Sequence, residues 1–418
     1  MAIEVAPLLA KVFADGLPVC FVFWDGSRLG PEDGPGSVAV RSADLLRRLV
    51  WSPDELGLVR GFVAGELDLD GDAFEVLRAL EEAPGAGLRL VGNALAPALR
   101  VARRLGAVGR PPPRPAGEAR SSGARHSRAR DARSVSRHYD IGNDFYRLVL
   151  GPSMTYSCAR FESDAATLED AQTSKHEMIC RKLGLGERPG VRLLDVGCGW
   201  GSMAIHAAAH HGARVVGITL SPAQARSARE AAARAGLGRQ VEIRLQDYRE
   251  LGAERFDAIS SVGMFEHVGG KRAAGYFGIL RGLLSPGGRL LNHAISRPGG
   301  AKLHGRTFMN RYVFPDGELI DVAEVVREME RAGLEVRDVE SLREHYSKTL
   351  HEWVGNLRRN WREAVDSVGS ERARTWWLYM VASANGFDAG RLAVHQVLGV
   401  VPDRECRAGM PPTRRSWG

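Results

Sequence analysis

Three glycines at alternate positions, Gly197, Gly199 and Gly201, close the stretch VRLLDVGCGWG at residues 191–201. Its apolar start reads as a buried parallel strand, and the SMAIHAAAHH that follows reads as a helix. Glycines at such a turn let a ligand lie against bare backbone at the mouth of a sheet. A dinucleotide loop has the spacing G-x-G-x-x-G. Here the spacing is G-x-G-x-G, preceded by the acid Asp195.

Further apolar runs follow: ARVVGITL (213–220), VEIRLQD (241–247), FDAISSVG (256–263) and RLLNHAIS (289–296). Helical stretches separate them, so the alternation predicts a parallel sheet with helices on both faces. EVRDVESL and RLAVHQVLGV are expected to close it as a terminal hairpin. Ligands of such sheets sit beyond the carboxyl ends of the strands. Four segments converge there: 137–162 before the first strand, ITLSPAQ after the second, QDYR after the third and GMFEHVG after the fourth. The aromatic set Trp353, Trp361, Trp376, Trp377 and Tyr379 is read as core. Residues from about 407 onward read as unstructured.

The loop resembles the S-adenosylmethionine (SAM) loop of class I methyltransferases. Taken with HYD…FY, TYSCA-x-F, TLS-x-x-Q, DYR, FEHVG, the H-Y-x-x-TL-x-x-W segment (345–353) and the VHQVL…GMP-x-TR ending, residues 135–410 resemble the cyclopropane-fatty-acyl-phospholipid synthase family, which includes the mycolic acid cyclopropane synthases. The resemblance implies an α/β fold: a class I, Rossmann-like, SAM-dependent methyltransferase domain with a smaller α+β amino-terminal domain. It places SAM against Tyr156, Ser157, Asp195, Gly197, Gly199 and Gly201, with Thr219, Leu220 and Gln224 on the ribose side and Gln246 and Asp247 near the adenine. The second strand ends without the acid usual for ribose hydroxyls, so Gln224 is expected to substitute.

The chemistry implied is addition of a one-carbon unit to the cis double bond of an unsaturated fatty acyl chain of a phospholipid. A sulfonium methyl is a strong electrophile that an alkene attacks directly, leaving a carbocation that must lose a proton. In this family the base is a bound bicarbonate, and the matching residues are Cys158, Glu266, His293, Ile295 and Tyr346. Cys158 and Ile295 are expected to offer backbone groups, and the other three side-chain hydrogen bonds. A carboxylate beside an anion is unfavourable without a proton between them, so Glu266 is expected to pair with a protonated bicarbonate oxygen or with His293. His138, Tyr139 and Asp140 are expected to open a lid helix. The product is a cyclopropane or a methylene- or methyl-branched chain, the latter calling for a partner reductase. The alternatives are an amine N-methyltransferase of the same family and a non-catalytic lipid-binding protein.

The 418 residues suit two domains. Residues 1–105 read as a mixed lipid-binding or docking domain, with strands at VCFVFW and SVAVRS. Residues 106–134, rich in Pro, Gly, Ser and Arg, read as a flexible linker, and 135–410 as the catalytic domain. The formal charge is +7, yet residues 103–137 alone hold ten arginines against Glu118 and Asp131, a local +8. Solvation or attraction to an anionic membrane accounts for that charge. Nucleic-acid binding is not expected, for want of interleaved aromatics. Five cysteines with no C-x-x-C pair argue against disulfides or a zinc site. No secretory signal or spanning run is read. The expected place is the cytoplasm, peripheral at the inner membrane face, and a second copy of the chain is among the expected partners.

Overall fold

The computed structural model describes residues 1–13, 16–83, 95–118, 130, 138, 141–300 and 307–417. The chain divides into two units. The first comprises Met1–Ser121, His304–Pro315 and Trp361–Asn385. Its sheet holds β1 (Cys20–Phe23), β2 (Arg28–Leu29), β3 (Gly36–Val40) and β4 (Leu67–Gly71) in the order β2-β1-β3-β4. The helix Glu55–Val63 begins at Asp54, whose side chain accepts the Gly57 N–H, and it is buried on most of its surface.

Two departures from the sequence reading lie in this unit. Residues 106–118 are held rather than loose. Arg60 makes a bidentate pair with Glu118 at 2.7 and 2.9 Å, Arg48 donates to the Pro113 carbonyl at 2.9 Å, and Trp51 Nε1 donates to Gly109 at 3.0 Å. Low apolar content does not free this segment, because side chains elsewhere bind its backbone. The remainder of the expected linker, apart from Arg130, lies outside the described residues. Secondly, Trp361–Asn385, read as part of the catalytic domain, belongs here: Trp377 stacks on Phe62 at 5.6 Å, and Arg374 donates to the Phe62 and Leu67 carbonyls. Periodicity shows that such aromatics are buried but not against what.

The second unit comprises Ser122–Leu303, Asp316–Asn360 and Gly386–Gly418. Its seven strands are β5 (Arg192–Val196), β6 (Arg214–Thr219), β7 (Val241–Leu245), β8 (Phe256–Val262), β9 (Leu284–Ser296), β10 (Glu335–Ser341) and β11 (Ala393–Val400). They lie in the order β10-β11-β9-β8-β5-β6-β7. The strands β5 to β9 run parallel, while β11 pairs antiparallel with β9 and β10 with β11. Side chains alternate between two cores, with Leu194, Val216 and Ile259 in one and Leu193, Val215 and Ala258 in the other, as period-two alternation requires. The order reverses beside β5, and this opens a crevice at the strand ends.

The tail corrects another expectation. Trp417 is buried in the second core, Met410 packs against that core, and Arg289 donates to the Gly409 carbonyl; these contacts hold the segment. Arg130, counted among the linker's free charges, is buried and bidentate on Asp316 at 2.6 and 2.7 Å. Among the described residues no helix is long and apolar enough to cross a membrane.

Replacing Glu118 by Ala leaves Arg60 buried without its counter-charge. We expect a loss of about 3 kcal/mol in the first unit and new protease cleavage within 106–118, read by thermal unfolding and limited proteolysis.

Candidate active site

The crevice encloses about 1150 Å³ of free space, counting its open mouth. Its floor is the glycine loop. Gly197 and Gly201 have φ of +77° and +87°, where side chains other than glycine are strained. A Cβ on Gly197 would meet Met264 at 3.0 Å, and one on Gly201 would meet the Ala228 Cβ at 3.1 Å. A Cβ on Gly199 would project into open space, which is a cradle for a ligand lying on the backbone. Gly201 does not line the crevice; it lets the helices Ser202–His211 and Pro222–Arg234 approach.

The other residues expected to hold a cofactor do line it: Tyr156, Ser157, Asp195, Gly197, Gly199, Thr219, Leu220, Gln224, Gln246 and Asp247. Gln224 is buried and its carbonyl accepts from Thr219 Oγ1 at 2.8 Å, which fixes the amide's orientation at the end of β6. Asp247 caps a short 3-10 turn and is bidentate on Arg249 at 2.6 and 2.8 Å, so its carboxylate is already committed to a cation. Gln246 is tied to the Glu250 carbonyl through its amide. Tyr156 stacks on His138, with its hydroxyl 3.3 Å from Nε2. Tyr139 and Asp140 lie outside the described residues.

Lys175 was not anticipated. The helix Leu168–Leu183 starts at a Thr167/Asp170 capping box and buries a stripe through Leu168, Ala171, Gln172, Lys175, Ile179 and Lys182. A basic residue at a stripe position is the signal in the sequence that marks this lysine as buried. Lys175 donates to Ser157 Oγ at 2.9 Å, and Gln172 donates to the Ser157 carbonyl at 2.9 Å, so one helix face holds the 155–158 segment in place. Burial pulls the Lys175 amine down to about 7, against the opposing pull of Cys158 and Asp195. Burial likewise pushes Asp195 up to about 6, although Ser260 donates to it at 2.7 Å.

The five expected catalytic residues gather behind this wall, around β9 and β11; none of them lines the crevice itself. Ile295 pairs with Val394 across the sheet, and the Val394 carbonyl accepts from Leu342 N. The Leu342 carbonyl in turn accepts from Tyr346 N at 3.1 Å and faces Cys158 Sγ at 3.6 Å. His293 lies two residues before Ile295 on the same strand face. The Ile295 amide donates to Glu266 Oε1 at 2.7 Å, so a backbone group of Ile295 orients Glu266. Glu266 is not bonded to His293 directly. Its Oε2 and His293 Nε2 are buried without a partner among the described residues, two orphaned polar atoms of the sort a small bound group satisfies.

Burial pushes the Glu266 carboxyl up to about 7, with the Ile295 amide acting the other way. Burial, then the charge of Lys175, brings His293 down to about 3. Gln396, opposite His293 on β11, points its amide nitrogen at Nδ1, 3.2 Å away, which leaves the ring proton on Nε2 as a donor. Burial also raises the Cys158 thiol, which stays protonated.

A parallel sheet extended by antiparallel strands, with a glycine-floored crevice at the strand ends, defines a class I SAM-dependent methyltransferase fold, and the protein is an enzyme of that class. Residues 126–397 match the family model described as mycolic acid cyclopropane synthetase, and the chain belongs to that family. It is 41% identical over 417 residues to a probable fatty acid methyltransferase of Mycobacterium tuberculosis, covering 96% of this chain and 94% of the relative. It is 39% identical over 263 residues to the cyclopropane-fatty-acyl-phospholipid synthase of Escherichia coli, covering 62% and 66%. Among solved structures, mycolic acid cyclopropane synthase CmaA1 complexed with SAH and CTAB aligns with a TM-score of 0.61 at 34% identity, covering 64% of this chain and 98% of that one.

The Glu266 carboxyl titrates near 7 when folded, against an ordinary 4.5. As pH rises the unfolded chain gives up this proton first, so stability falls between about pH 4.5 and 7 and is level above. The variant Glu266→Gln lacks this loss. In bicarbonate-free buffer, wild type should therefore lose about 3 kcal/mol relative to E266Q across that window. Paired denaturant titrations measure the gap, and a constant gap refutes the buried, raised carboxyl.

Proposed function

We propose that the enzyme transfers a one-carbon unit from SAM to the cis double bond of an unsaturated fatty acyl chain of a phospholipid. The product is a cyclopropane or a methylene- or methyl-branched chain. The observation that carries this reading is the pair of orphaned buried atoms, Glu266 Oε2 and His293 Nε2, one strand behind the glycine-floored crevice. The names of the relatives, fatty acid methyltransferase and cyclopropane synthase, support the substrate class.

SAM supplies an electrophilic sulfonium methyl when bound. Gly199 offers the bare backbone, Gln224 the polar group on the ribose side, and Tyr156 and Ser157 flank the methionine end. Lys175 and Gln172 hold Ser157 in place. Met154, Met203, Val262 and Met264 give the crevice its apolar lining, suited to an uncharged olefin. Bicarbonate, when bound, supplies a mild base for the proton that the alkylated chain must lose. His293 Nε2–H donates to such an anion, Glu266 does so through its own proton, and Lys175 adds positive potential nearby. Tyr346 and Cys158 close the neighbourhood through Leu342.

Glu266→Gln and Tyr346→Phe should each lower kcat about 100-fold while SAM affinity stays within about threefold. Calorimetry with SAM, beside turnover on unsaturated phospholipid vesicles, reads both. Loss of SAM binding in both variants contradicts the assignment. Mass spectrometry of lipids from expressing cells identifies the product: acyl chains heavier by one CH2 that resist hydrogenation carry a ring, and those that take up hydrogen carry a methylene branch.

Peripheral contact with an anionic membrane belongs to the same proposal. The first unit exposes Ile3, Trp24 and Trp51, residue types that enter a lipid interface. Deleting residues 1–105 would strip that unit of most of its core, so point changes are the better test. Ile3→Ser with Trp24→Ser should reduce co-sedimentation with anionic vesicles while SAM binding is unchanged. Undiminished co-sedimentation removes the docking role.

A further inference from the structure

The helix Leu168–Leu183 also packs on the helix Ser202–His211, away from the glycine loop, and a second cluster of reactive side chains lies between them. Glu177 Oε2 is 2.9 Å from His211 Nε2 and 3.4 Å from His206 Nε2. Ligand atoms of Cys180, His206 and His211 all lie within 4.8 Å of one another. Cys180 is buried, the two imidazoles are 10% and 12% exposed, and Glu177 is 39% exposed. The cluster is thus closed at the thiol and open at the carboxylate, which gives a cation a path in.

Nothing in the proposed reaction uses these groups. Two imidazoles, one thiol and one carboxylate are the donor set of a four-coordinate N2SO site. Soft sulfur with imidazole selects zinc-class ions over magnesium or calcium. Tetrahedral ligands at such bond lengths stand about 3.4 Å apart, so binding requires the three ligand atoms to close in from separations of up to 4.8 Å. Cysteine and histidine here are 26 residues apart in sequence, without the paired short spacings of zinc ribbons. That is why the sequence reading assigned no metal.

We propose that Cys180, His206 and His211, with Glu177 as the fourth ligand, form a binding site for a tetrahedral divalent cation of the zinc class. Binding releases the Cys180 proton and the cation's waters to solvent, with no change of oxidation state. The cation clamps two helices that also carry Lys175, Ser202 and Met203 into the crevice, so it stiffens the cofactor floor without touching the reacting atoms.

The test uses the full chain, stripped with a chelator and titrated with Co2+ under reducing conditions. One cobalt per chain is expected, with intense tetrahedral visible bands, a near-ultraviolet sulfur-to-cobalt band, and displacement of both by Zn2+. Cys180→Ser should abolish the sulfur band. His211→Gln, at the helix end, should weaken cobalt binding at least about tenfold. Each metal-free variant is compared with metal-free wild type by thermal unfolding to show that it folds. Absence of the sulfur band in wild type, its persistence in C180S, or unchanged affinity in folded H211Q overturns the site.

Discussion

The bond from the Ile295 amide to Glu266 Oε1, 2.7 Å long, is the constraint around which the catalytic unit is arranged. It joins the 3-10 turn after β8 to the end of β9 and holds a carboxyl group whose Oε2 is shielded from solvent. That group cannot ionise freely at neutral pH, and its second oxygen has no partner among the described residues. The remaining polar residues are arranged to suit. His293 is fixed through Gln396 and kept neutral, and the buried amine of Lys175 stands close enough to influence both His293 and Cys158. Such a site is costly for the fold, and the flanking cores on the two sheet faces supply the stability that offsets it.

Much of this was legible in the chain. The loop after β5 and the five parallel strands show as local apolar runs with punctuation, and the structure places them within a residue or two of their expected ends, except that β9 begins earlier, at Leu284. Glu266, His293, Ile295, Cys158 and Tyr346 were picked out as a set through motif resemblance, and the fold does bring them together through Val394 and Leu342. What spacing does not carry is direction. Ile295 is expected to offer a backbone group, and its amide donates to Glu266; Gly201 is expected beneath the ligand, and a Cβ there would meet the neighbouring helix at Ala228.

Other misreadings share one cause: composition reports what a segment can bury by itself and is silent on what other segments do to it. Residues 106–118 have few large apolar side chains, yet their carbonyls and Glu118 satisfy Arg48, Arg60 and Trp51. The aromatic stretch after Trp361 has the periodicity of core, and it is core, but of the first unit. Lys175 was passed over because a lysine is ordinarily placed on the solvent face; only its register with Leu168, Ala171 and Ile179 marks it as buried.

The opposite titration shifts of Glu266 and His293 bear on how the proposed reaction avoids damaging its own enzyme. A carbocation formed near an ionised carboxylate could be trapped as an ester, and an imidazolium would repel the cation. Burial moves both groups toward neutrality, one up and the other down, so the site carries little charge of its own. Lys175, drawn down to about 7, regains its proton readily when negative charge arrives, which balances an anion without a permanent counter-ion. In the proposed reaction an anion that comes and goes with turnover then serves as the base, with His293 and protonated Glu266 as neutral donors beside it. The desolvation that makes these groups expensive is therefore the same property that makes them compatible with cationic chemistry.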